Sequence, residues 1–124
     1  MGGLGRIISG LGHAWRGVLY VFEFERNARI HLIAALAAFC LGVYLRISDT
    51  QLAAIFFAII LVFFAEIINT AFEKTLDLID INHNPQIKLI KDMAAGAVLV
   101  TAVAATTIGF VIFAPYLLRL LWRI

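Results

Sequence analysis

The chain has 124 residues, of which 63 % are hydrophobic and only 15 % charged, and its formal net charge is +2. The mean hydropathy is +0.98, and a soluble domain carries roughly 25 % charged residues. This balance excludes a disordered chain, a disulfide-rich module and most soluble enzymes, and it points to an integral membrane protein. The charge is too small for nucleic acid, and no basic and aromatic residues interleave as a strand-binding surface would require. No nucleic-acid partner is expected. The single cysteine, Cys40, lies in an apolar run and reads as a small hydrophobe. No cleavable leader is expected, because no long apolar core with a cleavage pattern opens the chain.

In chain order, Ile7, Ile8, Leu11, Trp15, Val18, Leu19 and Phe22 recur at helical spacing, interrupted by Arg6, His13 and Arg16. This pattern predicts an amphipathic helix over about 4–27 at the membrane surface. An ordinary cytosolic leader is the plainer alternative. Ile30–Leu45 and Thr50–Ala65 are uncharged runs, parted by a short polar turn. Met93–Leu118 is a third such run. A span needs about 20 residues to cross roughly 30 Å of hydrocarbon. The expected architecture is therefore all-α, a single domain over residues 1–124 with spans at about 29–47, 50–80 and 88–119. Asn82-His83-Asn84-Pro85 marks a turn between the last two.

Lys and Arg in short loops set the topology. Arg6, Arg16, Arg26 and Arg29 precede the first span, and Lys74, Lys88 and Lys91 lie between the second and third. These seven outweigh Arg46, Arg119 and Arg123, so the N-terminus is expected on the cytoplasmic side.

The unusual feature is the end of the second span. On a helix at 100° per residue, Asn69, Thr70, Glu73, Asp77 and Asp80 all fall within about 60° of Glu66. The other faces stay apolar. An acid in or beside hydrocarbon costs several kcal/mol unless paired, hydrated or metal-bound. Several on one stripe need basic partners or a cation, and hard oxygen donors favour Mg²⁺. A polar packing seam would need only Asn69. A proton or cation path in a small transporter would place the acids near the midplane. Here they cluster at the expected cytoplasmic end, beside Lys91 and Asp92 and near Glu25, which suits chemistry on a water-soluble reagent at the interface.

P-loop, HExxH and GxSxG patterns are absent, and Gly2-Gly3-Leu4-Gly5 is too weak for a dinucleotide fingerprint. His13 and His31 stand isolated and read as structural. Ala97, Thr101, Ala105 and Gly109 form a small-residue ridge, expected in close helix contact.

The stretch Glu66-Ile-Ile-Asn69-Thr70-Ala71-Phe72-Glu73, then Asp77, then Lys91-Asp92-Met-Ala-Ala-Gly96-Ala resembles the prokaryotic diacylglycerol kinase family of small membrane enzymes. Trp15-Arg16-Gly17 and Glu25-Arg26-Asn27-Ala28-Arg29 fit it too, so the resemblance covers about residues 4–115. Glu25-Arg26-Asn27 and His83-Asn84-Pro85 look closest to its undecaprenol kinase branch. The resemblance implies a homotrimer in the bacterial cytoplasmic membrane, with active sites shared between subunits. It implies transfer of the ATP γ-phosphoryl to a lipid hydroxyl with Mg²⁺, the acceptor being undecaprenol or, alternatively, diacylglycerol. Carried residue by residue, Glu66 is the general base and Asn69 orients it. Glu25 and Glu73 are metal ligands that also meet the nucleotide. Lys91 and Asp92 contact the nucleotide, with Arg6, His13, Asn82, His83 and Asn84 near it. Glu66 and Arg29 face the lipid.

Overall fold

The computed structural model describes residues 3–79 and 84–122. Four helices follow one another among them: α1 (Gly3–Phe24), α2 (Arg26–Leu45), α3 (Asp49–Ile79) and α4 (Pro85–Leu121). The last three are each long and apolar enough to cross a membrane. At 1.5 Å per residue α3 is about 46 Å long and α4 about 56 Å, so both overrun a bilayer of roughly 30 Å.

The helix boundaries correct the sequence reading in one useful place. The first helix does not run on to residue 27. Glu25 is extended (φ −96°, ψ 118°) and separates α1 from α2. The Glu25 N–H still donates to the Val21 carbonyl, so the break is confined to one residue. As the residue preceding α2, Glu25 makes no capping bond with its side chain, which leaves its carboxylate for other partners.

The end of the bundle away from the acidic stripe is tightly built. α2 closes with Arg46 in the left-handed region (φ 52°), and Ile47 N–H returns to the Gly42 carbonyl at 3.2 Å. This is the Schellman arrangement. A Cβ on Gly42 would stand 3.0 Å from Ile47 Cδ1, so glycine is what admits the close return. Ser48 and Gln51 then cap α3 reciprocally, each side chain accepting from the other's backbone N–H. The Tyr116 hydroxyl donates to Gln51 Oε1 at 2.7 Å and ties α4 to this corner. Ile47, Ile55, Ile112 and Phe113 form the core there.

Elsewhere most large apolar side chains face outward, including Phe57, Phe64, Ile33 and Phe110. Such a surface is at home in lipid or against other membrane helices. Along α1 every residue from 3 to 17 is exposed, and only the far end is anchored, by buried Val21 and by the Phe22 ring edge-on to Phe63 at 5.1 Å. Pro115 lies inside α4 without ending it.

Candidate active site

The site is built on the last third of α3. If hydrocarbon begins at Asp49, about 20 residues of helix carry it to Asn69. Glu66 then lies one turn inside the boundary, Glu73 one turn outside and Asp77 two turns outside. One helical face thus runs from the apolar phase into water, which is what a reaction between a lipid and a soluble reagent requires.

Among the described residues, each acid on this face has a neighbour. The Asn69 amide donates to Glu73 Oε1 at 3.1 Å. Lys74 reaches Glu25 Oε1 at 3.9 Å, drawing the α1–α2 junction onto α3, and its ammonium stands 6.0 Å from the centre of the Tyr20 ring. Lys91, from the first turns of α4, donates to Asp77 Oδ1. That hydrogen bond holds the Asp77 carboxyl below the usual carboxylate range. Glu66, whose side chain is 3 % exposed, has His31 Nε2 at 3.2 Å from its Oε1. Within the chain, basic and amide partners therefore provide much of the relief that the stripe demands.

The relief is incomplete at the buried end. Glu66 Oε1, Asn69 Oδ1 and Thr70 Oγ1 are buried and accept or donate no hydrogen bond. The His31 contact is therefore close without being aligned. Thr70 stands apart from Thr75, Thr101, Thr106 and Thr107, whose hydroxyls all donate to a carbonyl within the preceding turn. An unmet buried polar group costs about 1–3 kcal/mol, and three together on one face suit a polar group supplied from outside the chain.

An apolar groove of about 390 Å³ opens between α2, α3 and α4 and reaches this point. Ala34, Ala38, Ala58, Val62 and Phe110 are among its walls, and His31 is its polar end. Ala105 and Gly109 line it as well. Small side chains on α4 thus border the groove within one chain, while Val98, Ile112 and Phe113 are the buried residues of that helix.

Glu66, Asn69 and Glu73 share one face of α3, where the Asn69 amide meets Glu73. Lys91 joins them through Asp77. Asp92 is held by Lys88 at 2.9 Å on the exposed side of α4. Asn84 acts as a helix cap, its Oδ1 accepting from Gln86 N–H at 2.9 Å. Asn82, His83 and Asp80 lie outside the described residues. Arg29 is exposed at the start of α2. Arg6 and His13 are not brought to the stripe by their own chain. They sit on the exposed arm, about 22 Å and 12 Å along the axis from the Val21 anchor. His31, read as isolated, is the residue the sequence reading missed. Its signal was an ionisable side chain in the otherwise uncharged run Ile30–Leu45.

Among the described residues no group of three or more His, Cys, Asp or Glu side chains could hold a metal.

Comparison with known proteins identifies the family. The family model described as prokaryotic diacylglycerol kinase matches residues 12–113. An undecaprenol kinase of Bacillus subtilis (strain 168) is 41 % identical over 114 residues, covering 92 % of this chain and 93 % of that protein. A diacylglycerol kinase of a Synechocystis species is 36 % identical over 110 residues, 88 % of this chain and 63 % of the longer relative. A diacylglycerol kinase of Escherichia coli (strain K12) is 28 % identical over 103 residues, 83 % and 84 % of the two chains. The matched region takes in α2, α3 with its polar face and α4 as far as residue 113, and the chain belongs to the prokaryotic diacylglycerol kinase family of membrane-embedded lipid kinases.

Proposed function

We propose that the protein transfers the γ-phosphoryl group of ATP to the hydroxyl of undecaprenol, with Mg²⁺, at the cytoplasmic face of the bacterial membrane. The observation that carries this reading is the apolar groove lined at one end by His31, whose Nε2 stands 3.2 Å from Glu66 Oε1. A polyprenol has one hydroxyl and otherwise only hydrocarbon, and it needs a long greasy channel with one polar end. Diacylglycerol carries two ester carbonyls that a matched site would meet with donors. The groove wall offers His31 and Thr106, and the Thr106 hydroxyl is committed to the Ala102 carbonyl at 2.8 Å. The higher identity to the Bacillus subtilis undecaprenol kinase points the same way. Diacylglycerol is the second reading, favoured by the names of the other relatives.

Phosphoryl transfer asks a protein mainly to position groups and neutralise charge. Glu66 accepts the proton of the lipid hydroxyl as the lipid oxygen bonds to the γ-phosphorus. The bond from that phosphorus to the ADP oxygen breaks, and ADP leaves. Glu66 lies just inside the boundary, where an alcohol that cannot leave the bilayer can reach it. Asn69 holds Glu73, and Glu25 and Glu73 would be the ligands of Mg²⁺, which when bound neutralises phosphate charge. Lys91, steadied by Asp77, offers a cation at the aqueous end for the nucleotide.

We read the assembly as a homotrimer with α1 on the membrane surface and active sites shared between copies. Its support is the large outward apolar surface and the position of Arg6 and His13 on an exposed arm that their own chain does not bring to the stripe. The lipid assignment is tested by kcat/KM for both lipids in the same mixed micelles. Undecaprenol is expected to be preferred, and a tenfold preference for diacylglycerol would overturn that choice.

A further inference from the structure

His31 has no part in the reading above beyond marking the polar end of the groove. Three facts give it one. Its Nε2 stands 3.2 Å from Glu66 Oε1. That oxygen is buried and accepts no hydrogen bond. Among the described residues, His31 is the one groove-lining side chain with hydrogen-bonding capacity still to give, because Thr106 is committed within its own helix. The other charged groups near Glu66 are the carboxylates of Glu25 and Glu73, themselves joined to Lys74 and Asn69. His31 is thus the basic neighbour of the buried acid and the groove-lining side chain that touches it.

We propose that His31 is a positioning residue for the acceptor alcohol: its Nε2–H engages Glu66 Oε1 and turns the other carboxylate oxygen to the groove mouth, where the lipid hydroxyl arrives. Bonds of this type are often long and poorly aligned without substrate and tighten when it binds, which fits a contact that is close and not yet directed. Without His31 the carboxylate of Glu66 has more than one rotamer open to it, and a misplaced base loses rate without losing nucleotide.

This inference rests on the lipid-kinase reading. The test compares His31→Leu and His31→Gln with the wild-type protein on undecaprenol in mixed micelles with Mg-ATP. Leu suits the apolar wall and removes the donor, whereas Gln keeps an N–H close to the place of Nε2. His31→Leu is expected to lower kcat about tenfold or more, the scale of one hydrogen bond to a charged group, with KM for Mg-ATP unchanged. His31→Gln is expected to recover most of the loss. A wild-type kcat in His31→Leu would overturn the proposal. So would equal losses in both variants at unchanged melting temperature, since that is the signature of a packing role. If His31→Leu does not fold, His31→Asn replaces it, being polar but too short to reach Oε1. The same kcat loss is expected, and a wild-type kcat would again overturn the proposal. If the wild-type protein phosphorylates no lipid alcohol, the kinase reading falls and takes this inference with it. An active wild type beside an equally active His31→Leu removes this inference alone.

Discussion

Replacing Glu66 by Gln isolates the proposed base from everything else on α3. The amide is nearly isosteric, and Glu66 takes no part in the Asn69–Glu73, Lys74–Glu25 or Lys91–Asp77 pairs. The aqueous half of the site should therefore keep its shape. The side chain is 3 % exposed, so water cannot easily stand in as a base. A positioned general base contributes about 10²- to 10⁴-fold. The expected loss in kcat is thus about 10²-fold or more, or roughly 2.7 kcal/mol of barrier at 1.36 kcal/mol per tenfold. Removing a buried acid whose Oε1 accepts no hydrogen bond should leave the melting temperature in detergent nearly unchanged. The assay is phosphate transfer to lipid in mixed micelles, with Mg-ATP affinity measured separately by calorimetry. A turnover within threefold of wild type would refute the reasoning. So would a tenfold loss of Mg-ATP affinity, which would move Glu66 to the nucleotide.

Further outcomes follow from the same geometry. Glu73→Gln and Glu25→Gln should each abolish most activity while the protein stays folded, because a hard anionic ligand becomes neutral; near wild-type turnover at saturating Mg²⁺ would remove that residue from the metal site. Ala105→Phe places a ring in the groove and should raise the KM for undecaprenol severalfold with Mg-ATP affinity unchanged, as read in the micelle assay. Arg6→Ala and Glu66→Gln should each be inactive alone and regain activity when the two proteins are unfolded and reassembled together, if sites are shared between copies; no gain would place each site within one chain. With the hydrocarbon taken to end near Asn69, Asp77 lies two turns beyond it, and its carboxyl is held low by Lys91. A depressed folded pKa means that the unfolded chain binds more protons in the window up to about pH 4. The Asp77–Lys91 link should then stabilise the protein above that window and be lost as pH falls through the folded pKa. Thermal unfolding between pH 3 and pH 5 should show Asp77→Asn with a flatter profile than wild type.

The spans were legible in the sequence because each is a long uncharged run, and composition alone decides whether a helix is stable in lipid. The acidic stripe was legible because helical spacing is local: Glu66, Asn69, Glu73 and Asp77 share a face wherever the helix sits. What spacing could not give was contact between distant segments. Glu25 breaks the helix with no glycine or proline beside it, and the break places its carboxylate toward Lys74, forty-nine positions on. His31 and Glu66 meet only because α2 packs on α3. Asn84, which the resemblance places near the nucleotide, also caps α4, a role its place before Pro85 and Gln86 left unread. The small residues of α4 read as a seam, and part of that ridge also borders a groove whose existence depends on how far α2 and α4 stand apart.

The central claim is that this face of α3 phosphorylates a lipid alcohol. It is tested most directly by incubating the purified protein with γ-labelled Mg-ATP and undecaprenol in mixed micelles, and by following label and ADP together. The account predicts label in undecaprenyl phosphate, one for each ADP released, and no such product from Glu66→Gln. ADP release without labelled lipid, from either undecaprenol or diacylglycerol, would contradict it.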